Sequence, residues 1–162
     1  MGKVINFSGG KTMGTNVYEV SDFFLSKESM THKKLQKMCY YAYSWYLALY
    51  DKCLFNDGKF EAWVHGPVNP NLYQRYRDWG WRDIPKKSRK INLPLEITAF
   101  LDIIYNTFSG FSGDELESMT HQEAPWIEAR RGFLPEQPSN QVISDNTIKS
   151  FYKNLMAQGQ LE

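Results

Sequence analysis

Residues 31–50 read THKKLQKMCYYAYSWYLALY. Leu35, Met38, Cys39, Ala42, Trp45, Tyr46 and Leu49 recur in it at intervals of three and four, the spacing that stacks side chains on one face of an α-helix. At about 100° per residue, Tyr40, Tyr41 and Leu47 fall outside that stripe, so large apolar groups cover most of the circumference. A helix apolar nearly all round is a buried one, and the rest of the chain is expected to wrap it. Thr31 has the side chain to cap its first turn. Lys33, Lys34 and Lys37 make one polar strip near the start, where positive charge opposes the helix dipole. The strip is expected either to be solvated, with the lysine stems lying over apolar neighbours, or to meet a partner carboxylate.

Before this helix, Thr15 or Asn16 caps a preceding one that runs to about Lys27, with Val17, Val20, Phe23 and Phe24 on its apolar side. On the other flank the pattern changes. Cys53–Phe55 and Phe60–Val64 are β-prone runs around Asn56-Asp57-Gly58, a hairpin turn signal. Gly66-Pro67 reads as a tight connection, and Asn69-Pro70 as a cap and first-turn proline for a helix lined by Leu72, Tyr73, Tyr76 and Trp79 and stopped by Gly80. Arg82 to Lys90 is a basic polar loop, expected to be a solvated linker. Pro94 opens a helix to about Phe108, with Ile97, Leu101, Ile104 and Tyr105 inward. Ser112 with Glu115, and Thr120 with Glu123, each have capping-box spacing for two short helices. Ser144 caps a last helix carrying Ile148, Phe151, Tyr152 and Leu155. The expected fold is mainly α: six or seven helices around the buried helix at about 31–50, with one small hairpin at about 53–64. Residues 1–16 read as an extension and 17–162 as a single helical domain.

Composition bounds the function. The 162 residues carry 19 basic and 18 acidic side chains, a net charge of +1, so no global field draws in nucleic acid or an anionic membrane. Aromatics are 15% of the chain, including five Trp and ten Tyr, the residues that anchor protein interfaces. Cys39 and Cys53 form no framework of paired spacings and read as reduced thiols of a cytoplasmic protein. No segment approaches the roughly 20 apolar residues of a membrane span, and the N-terminus lacks a signal-peptide apolar run. Gly10-Lys11-Thr12 ends like a phosphate-binding loop, but Ile5 stands where that loop needs a glycine. His121-Gln122-Glu123 lacks the second histidine of a zinc helix. A Cys–His nucleophile pair would draw on Cys39, which sits on the buried face where thiols are inert. The expectation is a non-enzyme without cofactor or metal.

Three blocks carry a resemblance: KLQKMCYYAYSWYLALY at 34–50, FEAWVHGPVNPNLYQRY at 60–76 and SGDELESMTHQEAPWIEAR at 112–130. Their order and spacing resemble the SocA-like or Panacea antitoxin domain, met also in phage-associated GepA-like proteins, over roughly residues 17–157. Lys-Leu-Gln-Lys, Trp-x-x-Gly-Pro-Val and Thr-His-x-x-x-Pro-Trp occur together. The resemblance implies a helical domain that binds and neutralises a toxin encoded next to it. In one branch it implies an adaptor that hands a partner to a cytoplasmic protease. It supplies no catalytic residue; an uncharacterised enzyme is the remaining alternative. No DNA-binding module accompanies the domain, so autoregulation of transcription by this chain alone is not expected.

For the partner surface, strand alternation sends Phe60 and Ala62 one way and Glu61 and Trp63 the other. His65 follows at once, and Tyr73 and Tyr76 are neighbours on the next helix. His121 and Trp126 join them through the family blocks. The expected partner-binding set is Trp63, His65, Tyr73, Tyr76, His121 and Trp126, with the alternative that Trp63 and Trp126 pack as core.

Overall fold

A computed structural model describes residues 15–159. Of the expected extension at 1–16 only Thr15 and Asn16 are described, and the glycine-rich Ser8–Thr12 lies outside the described residues. Seven α-helices are described: α1 Val17–Lys27, α2 His32–Tyr50, α3 Pro70–Tyr76, α4 Leu95–Phe108, α5 Gly113–Thr120, α6 Ala124–Ala129 and α7 Asp145–Ala157. Short strands interleave them: β1 Met30–Thr31 pairs antiparallel with β4 Asp83–Ile84, and β2 Glu61–Trp63 with β3 Gly66–Val68.

The apolar circumference of α2 has the consequence the sequence implies. Every residue from Leu35 to Ala48 is buried, including Tyr40, Tyr41 and Leu47, because α1, α3, α4, α5 and α7 surround it. Ring packing joins the layers: Tyr41 stacks on Phe108 of α4 at 4.3 Å, Trp45 meets Tyr152 of α7 at 5.1 Å, and Tyr46 meets Phe100 at 5.2 Å. Thr31 caps α2 by accepting from the Lys34 amide, and Asn16, Asn69 and Ser144 cap α1, α3 and α7 in the same way. Ser112 and Glu115 form the full reciprocal box on α5.

Three local expectations are corrected. The hairpin is built from residues 61–63 and 66–68 across a Val64-His65 turn, with Trp63 opposite Gly66, whose φ of 104° lets the chain fold back. Cys53–Phe55 is not a strand, since Leu54 and Phe55 turn into the core. The Asn56-Asp57-Gly58 turn serves helix α1 instead: both Asp57 carboxylate oxygens accept from the Val17 amide, at 3.0 and 3.1 Å. Gly66-Pro67, expected as a connection, is therefore strand β3, and residues 141–143 extend the sheet on its other side through Ala62 N–H to Gln141 and Ile143 N–H to Phe60.

The second correction concerns the basic loop. It is tied down, because the carboxylate of Asp22, buried in α1, takes Lys87 and Arg89 at 2.8 Å each, and the Lys87 amide donates to Leu25. The third concerns Thr120 and Glu123, which do not form a capping box. Thr120 Oγ1 donates back to the Glu117 carbonyl, while the Glu123 carboxylate is drawn inward to accept from Tyr41 and, at 2.6 Å, from Tyr152. The lysine strip is enclosed rather than solvated, and Lys33 and Lys34 meet carboxylates, the other outcome expected of it. Lys34 donates to the Ser109 carbonyl at 2.7 Å and pairs with Glu28, Lys33 pairs with acids of α5, and Lys37 is 1% exposed. No described helix is long and apolar enough to cross a membrane.

Candidate functional site: an aromatic cleft beside the hairpin

The start of α2, the β2–β3 hairpin, α3 and the turn after it enclose a cleft of about 330 Å³. The pleat of β2 sets its first wall. Ala62 is buried beneath the strand, while Glu61 and Trp63 point to the other face, where the Trp63 Nε1–H donates to Glu61 at 2.8 Å. Helical spacing on α3 sets the second wall: Tyr73 meets Trp63 at 4.8 Å between ring centroids. His32, the first residue of α2, lies between the two tyrosines of α3, 5.4 Å from Tyr73 and 6.1 Å from Tyr76. Gly80, with a φ of 57°, ends the short 3-10 turn after α3 and delivers Trp81 to the mouth of the cleft, where it is 73% exposed. Its ring stands 6.4 Å from His65 and under the Lys33 ammonium at 5.2 Å.

An ionic cluster lies alongside. Glu117 of α5 accepts from Lys33 at 2.6 Å and lies 3.1 Å from His65 Nδ1 and 3.8 Å from His121 Nε2; Asp114 takes Lys33 at 2.8 Å. Burial works against the charge of Lys33, but its bonds to Asp114 and Glu117 outweigh this and raise its pKa. For Glu117 burial pushes upward and the bonds to Lys33 and His65 win, so its carboxyl sits below the usual range. His121 is lowered, chiefly by burial. His32 is lowered to about 4 by burial and by the nearby charge of Lys37, so it is neutral near pH 7.

Five of the six residues named from sequence lie at the hairpin or against it, and they play different parts. Trp63 and Tyr73 line the cleft half-buried, and the His65 side chain is exposed at its edge. Tyr76, 5% exposed, belongs to the core. His121 stacks on Trp126 at 3.9 Å, and the Trp126 Nε1–H donates to the Trp63 carbonyl at 2.9 Å, so this pair braces the hairpin from behind. Arg130 completes the brace: buried, it donates to the Ala62 carbonyl and to those of Leu134 and Gln137. Sequence reasoning missed His32, Trp81 and Glu117 as site residues, and read Lys37 only as one lysine of a strip that is solvated or meets a partner carboxylate. Trp81 had a legible signal, an aromatic beside a helix-stopping glycine in a polar setting; the other three are placed by contacts with residues far away in the chain.

Among the described residues no group of three or more His, Cys, Asp and Glu side chains is arranged to hold a metal ion, and Cys39 and Cys53 are free thiols. Burial pushes the Cys39 thiol far up, which keeps it protonated and unreactive. What the fold presents is thus a mainly helical domain that carries, among its described residues, an aromatic cleft flanked by cations. Residues 35–127, more than half of the chain, match the family model described as antitoxin SocA-like, Panacea domain, and the chain belongs to that family. The match takes in nearly all of the three sequence blocks. No curated protein and no solved structure matches the chain.

Proposed function

We propose that this chain is the antitoxin of a toxin–antitoxin pair and neutralises a toxin encoded beside it by direct protein–protein binding, with the aromatic cleft as the contact surface. The observation that carries this reading, in a chain of an antitoxin family, is the exposed Trp81 and His65 at the mouth of a cleft lined by half-buried Trp63 and Tyr73. Rings that offer large area at low entropy cost are what protein interfaces use as anchors. The toxin meets Trp63, His65, Tyr73 and Trp81. Tyr76, His121 and Trp126 act from behind by fixing the cleft walls. The pair acts in the cytoplasm, where thiols such as Cys39 and Cys53 stay reduced.

Co-expression tests the reading. Growth arrest by the product of the adjacent reading frame should be relieved by this chain, and the two should co-purify. His65→Ala and Trp81→Ala should lose neutralisation at an unchanged melting temperature, whereas His121→Ala should lose both together. Full neutralisation by the Trp63→Ala, Tyr73→Ala and Trp81→Ala variants would move the contact surface elsewhere. A fall in toxin level that depends on a cellular protease would instead assign the adaptor role.

A further inference from the structure

Lys37 stands one turn after Lys33 on α2, yet it lies inside the molecule, in the wall of the cleft. It crosses strand β3 over Gly66, where a Cβ would come within 2.5 Å of Lys37 Cε, so glycine at 66 is what lets the lysine pass. There its ammonium donates to the Pro67 carbonyl at 3.2 Å. An ammonium has three protons to place, and no other hydrogen bond from Lys37 forms among the described residues. A buried cation so sparsely bonded is costly, and the cost falls if an anion enters beside it. Lys33, by contrast, is already held by Glu117 and Asp114. The cleft wall includes Lys33, Lys37 and Arg77, and none of the described residues lining it is acidic.

We propose that the cleft receives an acidic side chain of the partner protein, its carboxylate pairing with the Lys37 ammonium while adjoining apolar side chains of the partner pack on Trp63, Tyr73 and Trp81. This rests on the antitoxin reading and names the chemistry of the toxin surface. A protein side chain is the source because the cleft opens under an exposed Trp81, an area that a small carboxylate would leave in water. Burial, and secondarily the charge of Lys33, brings the Lys37 pKa down to about 7 in the free protein against the pull of Glu117. The other titratable groups facing it are His32 on α2, His121 just after α5 and His65 on the hairpin. A carboxylate favours the ammonium form, so binding takes up protons and weakens as pH rises above about 7.

The experiment is calorimetric titration of the full chain with the product of the adjacent reading frame, at about pH 6.5 and about pH 8.5 and in buffers of different ionisation enthalpy. Affinity should be higher at the lower pH, with net proton uptake. Lys37→Met should weaken binding roughly thirtyfold or more while the melting temperature holds or rises. Replacing one partner Asp or Glu by Asn or Gln should give the same loss, and combining it with Lys37→Met should add nothing. The proposal is overturned by undiminished binding of Lys37→Met. It is equally overturned by a wild-type titration without proton uptake, a readout that holds even where the variant folds poorly. Indole-3-acetate raising the melting temperature while partner affinity ignores Lys37 would make the cleft a small-molecule site and likewise overturn it. Failure of the wild type to bind the neighbouring product at all would reject the antitoxin reading itself, a result distinct from a partner that binds without Lys37.

Discussion

At the scale of single residues, the informative ones are polar groups in places that cost free energy. Gly66 combines a φ of 104° with the close approach of Lys37. Gly66→Ala is therefore expected to destabilise by at least about 2 kcal/mol through backbone strain and the displaced lysine, read by denaturant unfolding. Glu123 lies between Tyr41 and Tyr152, and burial, against the pull of those two hydroxyls, raises its carboxyl to about 7. The folded protein then holds a proton that the unfolded chain, with an ordinary carboxyl, has released between about pH 4.5 and 7. Glu123 accordingly costs stability as pH rises through that window. Glu123→Gln keeps an acceptor for the tyrosines and should gain roughly 1–3 kcal/mol relative to the wild type at about pH 8, with little gain near pH 4.5. An equal difference at both pH values would show that Glu123 is ionised in the folded protein throughout.

At the scale of elements, α2 organises the molecule because its surface leaves no face for water. Trp45→Ala should cost about 3–5 kcal/mol, since the ring is 3% exposed against Tyr152 of α7; a cost of a few tenths in thermal unfolding would mean that α7 repacks without it. Most helix boundaries follow from side chains within three residues of the end, as Asn16, Thr31, Asn69, Ser112 and Ser144 show. The basic loop is different. Lys87 and Arg89 look like a solvated run when read in order, and only the buried Asp22 of α1 gives them a destination. Asp22→Ala should cost about 1.5–3 kcal/mol, the range for hydrogen bonds to charged groups, and should speed hydrogen exchange at the Lys87 amide, which bonds to Leu25. Protection there that survives the substitution would put the loop's anchor elsewhere.

At the scale of the whole molecule, charge is balanced in total and uneven in place. The net charge of +1 predicts no long-range pull, whereas Lys33, Lys37 and Arg77 gather at one cleft. Association with an acidic partner surface should therefore slow as salt rises from low ionic strength to about 0.5 M, with dissociation changing less. Stopped-flow rates that ignore salt would remove this electrostatic contribution. The aromatic excess read from composition divides between two tasks: most rings, Tyr76 among them, build the core, and a few at the hairpin remain at the surface.

The sequence alone determined the helices, most of their caps, the buried all-round character of α2 and the family, because each rests on side chains close together in the chain or on blocks in fixed order. It also carried the alternation that turns Trp63 away from Ala62. The tertiary structure alone decided the rest. Asn56-Asp57-Gly58 has ideal hairpin chemistry, yet Asp57 serves the end of α1, forty positions away. Thr120 and Glu123 have capping-box spacing, yet two distant tyrosine hydroxyls offer Glu123 a better use. Lys37 carries a charge that local reasoning assigns to water or to a partner carboxylate, and it goes inside because Gly66 leaves room and the Pro67 carbonyl meets it. Periodicity and capping are set by neighbours within a turn, whereas the destination of a buried charge depends on which remote group the fold brings within about 3 Å.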